Sequence, residues 1–105
     1  MRRELLPIGT VVLLEEMEKA MMICGFCPTG EVNPGYVYDY SGFPYPEGYA
    51  EVDKIYQFDH DRIKSVLAIG YQDAETLVFM NELNNRIDII KETYSKNFYG
   101  KNSAE

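Results

Sequence analysis

A chain of 105 residues has the length of one domain, and 46% hydrophobic residues with 13% aromatics can fill a core without metal or disulfide staples. Seventeen acids against ten bases give a formal charge of −7, which repels phosphate backbones and anionic lipid and so disfavours nucleic-acid or membrane-surface binding. No apolar run approaches the roughly 20 residues of a membrane span.

The start, Met1-Arg-Arg-Glu-Leu-Leu-Pro7, is broken too early by Pro7 and Gly9 to form the apolar core of a signal peptide. With two cysteines and no such signal, the expected location is cytoplasmic. After an irregular lead-in, residues 10–14 (Thr-Val-Val-Leu-Leu) are a continuous β-branched and aliphatic run, the pattern of a strand buried on both faces. The charged block 15–19 interrupts it and a second apolar run follows at 20–26, so residues 10–26 predict a β-hairpin. One helix over 13–22 is the rival, since Leu, Glu, Met, Lys and Ala all favour helix; the central position of the charged block favours the hairpin. Two prolines and two glycines make residues 28–35 a loop.

Residues 35–49 hold five of the nine tyrosines, three of the eight glycines and two of the five prolines. Tyr36, Tyr38 and Tyr40 alternate with Val37 and Asp39, predicting a strand with an aromatic face. Gly42, Pro44, Pro46 and Gly48 then predict a sharp turn. Alternation returns at 53–58, with Ile55 on one face and Tyr56 and Phe58 on the other, and Asp59 is placed to cap a short helical turn through Ile63. Residues 65–70 read as a last strand closed by Gly70.

Asp73 is the expected N-cap of a long terminal helix, in which Leu77, Met80, Leu83, Ile87, Ile90 and Tyr94 recur three or four apart, widened by Val78, Phe79 and Ile89. Gly100 is the expected end, leaving residues 101–105 as a tail. The stripe reads as the face that closes over the sheet; alternatively, its half beyond Leu83 projects towards a partner helix or a second copy. The expected architecture is α+β, a bent antiparallel sheet or small barrel of four to five strands with a C-terminal amphipathic helix, in a single domain over residues 1–100.

The chemistry-bearing motifs are sparse. Cys24-Gly-Phe-Cys27 has the C-x-x-C spacing, yet thiolate activation at that spacing uses a helix N-terminus, and a loop follows here. A structural zinc site would need two more ligands, and His60 is the only histidine. His60 between Asp59 and Asp61 could serve as a base, but no nucleophile-elbow pattern accompanies it. No nucleotide-binding, zinc-protease or calcium-loop motif is present, and no cofactor or metal is expected. Between Glu31 and Asp61 seven acids stand against one base, Lys54. That excess over a tyrosine-rich segment suits recognition of a basic, partly apolar protein surface, and equally a solvated acidic loop.

Leu6-Pro-Ile-Gly-Thr-Val-Val-Leu-Leu14, Met21-Met-Ile-Cys-Gly-Phe26, Tyr38-Asp-Tyr-Ser-Gly-Phe-Pro-Tyr-Pro-Glu-Gly48, Phe58-Asp-His60 and Ile69-Gly-Tyr-Gln-Asp73 together resemble an uncharacterised family of small proteins of Gram-positive bacteria. Its genes often lie beside type VII secretion systems and their LXG toxins. The resemblance spans roughly residues 5–80 and implies an accessory or targeting role for a secreted toxin or secretion component, through protein–protein contacts. It carries over no catalytic residue. The function expected is therefore a non-enzymatic adaptor or chaperone-like factor that binds a protein partner through Tyr38, Tyr40, Phe43, Tyr45, Glu47, Tyr49 and Asp53. The alternatives are a small enzyme or thiol redox protein using Cys24 and Cys27 or His60, and a helix-mediated self-assembling protein, a homodimer. On the adaptor reading, charge reversal at Glu47 and Asp53 weakens co-purification with the partner; unchanged recovery would make those acids solvated surface only.

Overall fold

The computed structural model describes residues 4–29, 34–51 and 54–103. Among these, five strands form one bent antiparallel sheet and one α-helix follows, the expected α+β fold. The strands are β1 (Val11–Leu14), β2 (Met21–Phe26), β3 (Tyr40–Pro44), β4 (Tyr56–Phe58) and β5 (Ile63–Ala68), in the spatial order β4-β3-β2-β1-β5. The sheet is open, with β4 and β5 as its two edges, so the barrel alternative is not realised.

β1 and β2 form the expected hairpin, Val11 opposite Met22 and Val12 opposite Met21. The charged block makes its turn, where the Met17 amide donates to the Leu14 carbonyl at 3.2 Å and Glu16 takes a positive φ of 66°. β1 lies between β2 and β5, and three of its four residues are buried.

The tyrosine-rich middle departs from expectation. Residues 36–39 form no strand, and β3 begins at Tyr40 and runs through Gly42 to Pro44, where a turn was expected. The cause is side-chain chemistry on one side and close packing on the other. The Asp39 amide is taken by the Asp59 carboxylate at 2.9 Å, not by a neighbouring strand. Gly42 sits between Ile23 and Tyr56, where a Cβ would come within 2.9 Å of the Met22 carbonyl and 3.1 Å of the Phe58 ring. Glycine is there to let strands approach, not to turn the chain. The turn comes at residues 45–47, closed by the Gly48 amide donating to the Pro44 carbonyl at 2.7 Å.

The short helical element after Asp59 is one 3-10 turn, His60–Arg62, and the Asp59 carboxylate does not cap it. β5 starts at Ile63 and pairs with β1 through two register shifts. The shifts leave Lys64 and Leu67 as extra residues without a β1 partner, as in β-bulges, which twist an edge away from further pairing.

The helix α1 spans Ala74–Ser103, running past Gly100. Asp73 caps it as expected, accepting from the Thr76 amide at 2.9 Å and the Thr76 hydroxyl at 2.8 Å. Residues 104 and 105, part of the expected tail, lie outside the described residues.

The helix face turned to the sheet carries Met80, Leu83, Asn84, Ile87, Lys91 and Tyr94. Met80 and Ile87 join Val12, Leu14, Met21, Ile23, Tyr40 and Phe58 in one core. Leu77 and Ile90, expected inside, are exposed, as are Val78, Phe79 and Ile89. Two polar residues, Asn84 and Lys91, take places on the inner face. Asn84 is buried, accepts from the Leu5 amide at 2.9 Å and donates to the Met80 carbonyl at 2.9 Å. Lys91 reaches Asp39 at 2.5 Å and Asp59 at 3.6 Å.

Burial separates two substitutions that hydropathy alone would equate. Ile87 is 2% exposed and Leu77 60% exposed. Ile87→Ala should lose about 2–5 kcal/mol of stability, and Leu77→Ala should stay within about 0.5 kcal/mol of the parent. Urea denaturation of both variants measures the difference.

Candidate functional site

The structure splits the seven residues expected to bind a partner. Tyr40 is fully buried, with its ring against Phe26 at 6.0 Å and Phe58 at 5.4 Å between centroids. Its hydroxyl accepts from the Leu6 amide at 2.9 Å and lies 2.6 Å from His60 Nδ1. It cannot contact a partner, because it is the polar-tipped centre of the core. Tyr38 and Phe43 are half-buried, and Tyr38 meets Tyr36 edge to face at 4.8 Å. Tyr45, Glu47 and Tyr49 are exposed on the turn after β3, where Glu47 pairs with Lys19 of the β1–β2 turn at 2.6 Å. Asp53 lies outside the described residues.

Two of the acids in the middle are joints between segments. The Asp39 amide donates to Asp59, and the His60 amide donates back to Asp39 at 2.8 Å, a reciprocal pair tying the approach to β3 to the 3-10 turn. Tyr36 donates its hydroxyl to Asp59, and Lys91 brings the helix onto both carboxylates. Burial pulls the Lys91 ammonium down, but the hydrogen bond and charge of Asp39, joined by Asp59, outweigh it and hold Lys91 above its ordinary range. The hydrogen bond to Asp59, aided by burial, pushes the Tyr36 phenol well up, and burial does the same to Tyr40.

The cysteines serve the backbone. Cys24 is the extra residue at a register shift between β2 and β3, with its thiol 3.7 Å from the Ser41 hydroxyl. Cys27 ends the strand with a positive φ of 52°, its amide donating to the Asp39 carbonyl at 3.1 Å. Burial pushes the Cys27 thiol up, against a lesser opposing effect of Lys91, and a thiolate nucleophile requires a shift downwards. Both cysteines are free thiols, and no group of metal-ligating side chains occurs among the described residues. His60 is half-buried on Tyr40, the two rings 5.8 Å apart.

A surface that the sequence reading missed lies at the start of the helix. Ile8, Phe26, Tyr71, Phe79 and Met80 line a groove of about 280 Å³, with Asp73 and Glu75 also on it. Tyr71 is 80% exposed, and Phe79 packs its ring 6.0 Å from Phe26 while leaving half its surface to solvent. Val66, Leu67 and Ile69 of and beside the edge strand are exposed on the approach to Tyr71. The signal was present in Ile69-Gly-Tyr71, an apolar sequence just before a helix cap. The predicted strand ended at Gly70, which left Tyr71 between it and the helix cap, and sequence pattern alone does not tell an edge strand from a central one.

Structurally this is a small α+β domain whose distinctive exposed feature is an apolar groove with acids on it. Residues 5–79 match the family described as "Domain of unknown function (DUF4176)", and the chain belongs to that family. The match covers the whole sheet and the first turns of α1. Neither a curated protein nor a solved structure matches the chain. No helix among the described residues is long and apolar enough to cross a membrane.

The proton affinities give a signed pH dependence. Lys91, Tyr36 and Tyr40 each hold their proton more tightly when folded. Below about pH 10 both states are protonated and the contribution is complete. Above it the unfolded chain releases protons that the folded chain keeps, so stability falls as pH rises. Urea midpoints should therefore drop between neutral pH and about pH 10.5. Lys91→Met should cost about 1–3 kcal/mol at neutral pH and make that drop shallower.

Proposed function

We propose that this protein is a non-enzymatic, chaperone-like adaptor that binds an apolar segment of a partner protein in the groove formed by Ile8, Tyr71 and Phe79. The observation that carries the reading is the groove itself: exposed aromatic and aliphatic side chains beside two carboxylates. Large rings with polar tips supply contact area at little entropic cost, and exposed apolar patches on a small soluble domain mark interaction sites. Asp73 and Glu75 favour a partner segment with Lys or Arg beside its apolar residues. The partner we propose is a secreted substrate of a type VII secretion system, following the family's gene neighbourhoods, with the adaptor acting in the cytoplasm before export. A rise in the Cys27 proton affinity and the burial of Tyr40 over His60 support the non-enzymatic reading over thiol or histidine chemistry.

A second surface competes, because Tyr45 and Tyr49 are exposed on the turn that bears Glu47. Co-purification of the full chain with the secreted protein encoded beside it, with affinity measured on the purified pair, separates the two. Tyr71→Ala should weaken binding about tenfold or more, within the range of a buried aromatic anchor, with the fold intact because Tyr71 is 80% exposed. Loss on Glu47→Lys or Tyr49→Ala, with Tyr71→Ala unchanged, would move the site to the turn. No effect from any of the three would remove the adaptor reading at both surfaces.

A further inference from the structure

The outer face of α1 has an order that packing against the sheet does not require. Reading from the helix start, exposed Val78 and Phe79 are followed by Glu82, then Arg86, then exposed Ile89 and Ile90. The positions of these six residues are symmetric about residue 84: apolar Val78 corresponds to apolar Ile90, Phe79 to Ile89, and Glu82 to its opposite charge Arg86. At about 100° per residue these six side chains fan to within roughly 60° on either side of the direction opposite Asn84. Asn84 is buried, with the Leu5 amide bonded to its side chain. The set lies on the side of the helix away from Asn84, where Val78 and Ile89 are each 66% exposed. Glu75 and Thr93, which also correspond about residue 84, are exposed polar residues that close the patch at both ends.

Such an order fits one occupant. A two-fold contact between identical surfaces brings residue i against residue j and j against i. Two copies of α1 laid antiparallel and crossing at residue 84 place Val78 and Phe79 of one against Ile90 and Ile89 of the other. The same crossing sets Glu82 opposite Arg86 twice. A parallel pairing in register would set Glu82 against Glu82 and Arg86 against Arg86, juxtaposing like charges. The existing Glu82–Arg86 pair at 3.2 Å within one chain is exposed on both partners, so both side chains can turn to share the contact. We infer that the protein self-associates as an antiparallel, two-fold dimer through the Val78–Ile90 face of its terminal helix. Four apolar side chains per copy over about 18 Å of helix make a small interface, so association depends on concentration.

This dimer face shares Phe79 and, at its end, Glu75 with the groove but not Ile8 or Tyr71, and the two readings fail separately. Sedimentation equilibrium of the full chain over a wide concentration range should give masses rising towards twice 12.1 kDa. Ile89→Lys should shift the dissociation constant upwards about tenfold or more while its urea midpoint stays with the parent. Glu82→Lys and Arg86→Glu should each weaken the dimer, and the double exchange should restore it. Tyr71→Ala should dimerise as the parent does. A chain monomeric at every concentration overturns the inference and assigns the face to a different protein. So does a dimer unaffected by Ile89→Lys. Single reversals that leave association unchanged, or a double exchange that fails to rescue it, overturn the antiparallel crossing.

Discussion

The rotation of the terminal helix is held by two polar side chains on its inner face. Asn84 satisfies the Leu5 amide and its own helix at Met80, and Lys91 joins both carboxylates of the loop pair. A buried amide or ammonium without partners costs more than a misplaced methyl group, so these two contacts outrank hydropathy in choosing which face is buried. Once Asn84 and Lys91 point inward, Met80 and Ile87 must join the core, and Val78, Phe79, Ile89 and Ile90 must point outward. Both proposed binding surfaces follow from that choice. Phe79 stands at the rim of the groove instead of under the helix, and the proposed dimer face is the second apolar set, on the side away from Asn84.

The same logic explains the acidic, tyrosine-rich middle. A run of rings and carboxylates looks like a recognition surface when read along the chain, but much of it is internal wiring. The Asp59 carboxylate accepts from the Asp39 amide, the Asp39 carboxylate accepts from the His60 amide, both receive Lys91, and Tyr40 carries its hydroxyl into the core to hold Leu6 and meet His60. Polar networks of this kind are tolerated inside a small domain when each member is satisfied, and no buried side-chain nitrogen or oxygen among the described residues lacks a partner. What remains exposed is Tyr36 and the turn with Tyr45, Glu47 and Tyr49.

Much of the fold was legible wherever local pattern and tertiary demand agreed. The run at 10–14, the charged turn and the run at 20–26 gave the hairpin directly, and Asp73 capped the helix as its spacing announced. The α+β class followed from them. Legibility failed where a residue's role depended on a neighbour distant in sequence. Gly42 looks like a turn residue until Met22 and Phe58 are seen to leave no room for a side chain. Asn84 and Lys91 look like solvent-facing residues until Leu5 and Asp39 are placed beside them. The candidate groove was hidden for the same reason, since Ile8, Tyr71 and Phe79 are brought together only by the closure of β1 on β5 and the docking of the helix.

The central claim, that polar contacts lock the helix in this rotation, is tested most directly by amide hydrogen exchange at Leu5 and Leu6. Neither residue lies in a strand or helix, and their amides are held by Asn84 and by the Tyr40 hydroxyl. The account predicts that both exchange as slowly as the amides of β1, near the limit set by global unfolding. Exchange at the rate of an unprotected loop would contradict it, because the Leu5 amide would then have no partner on the helix to fix its rotation.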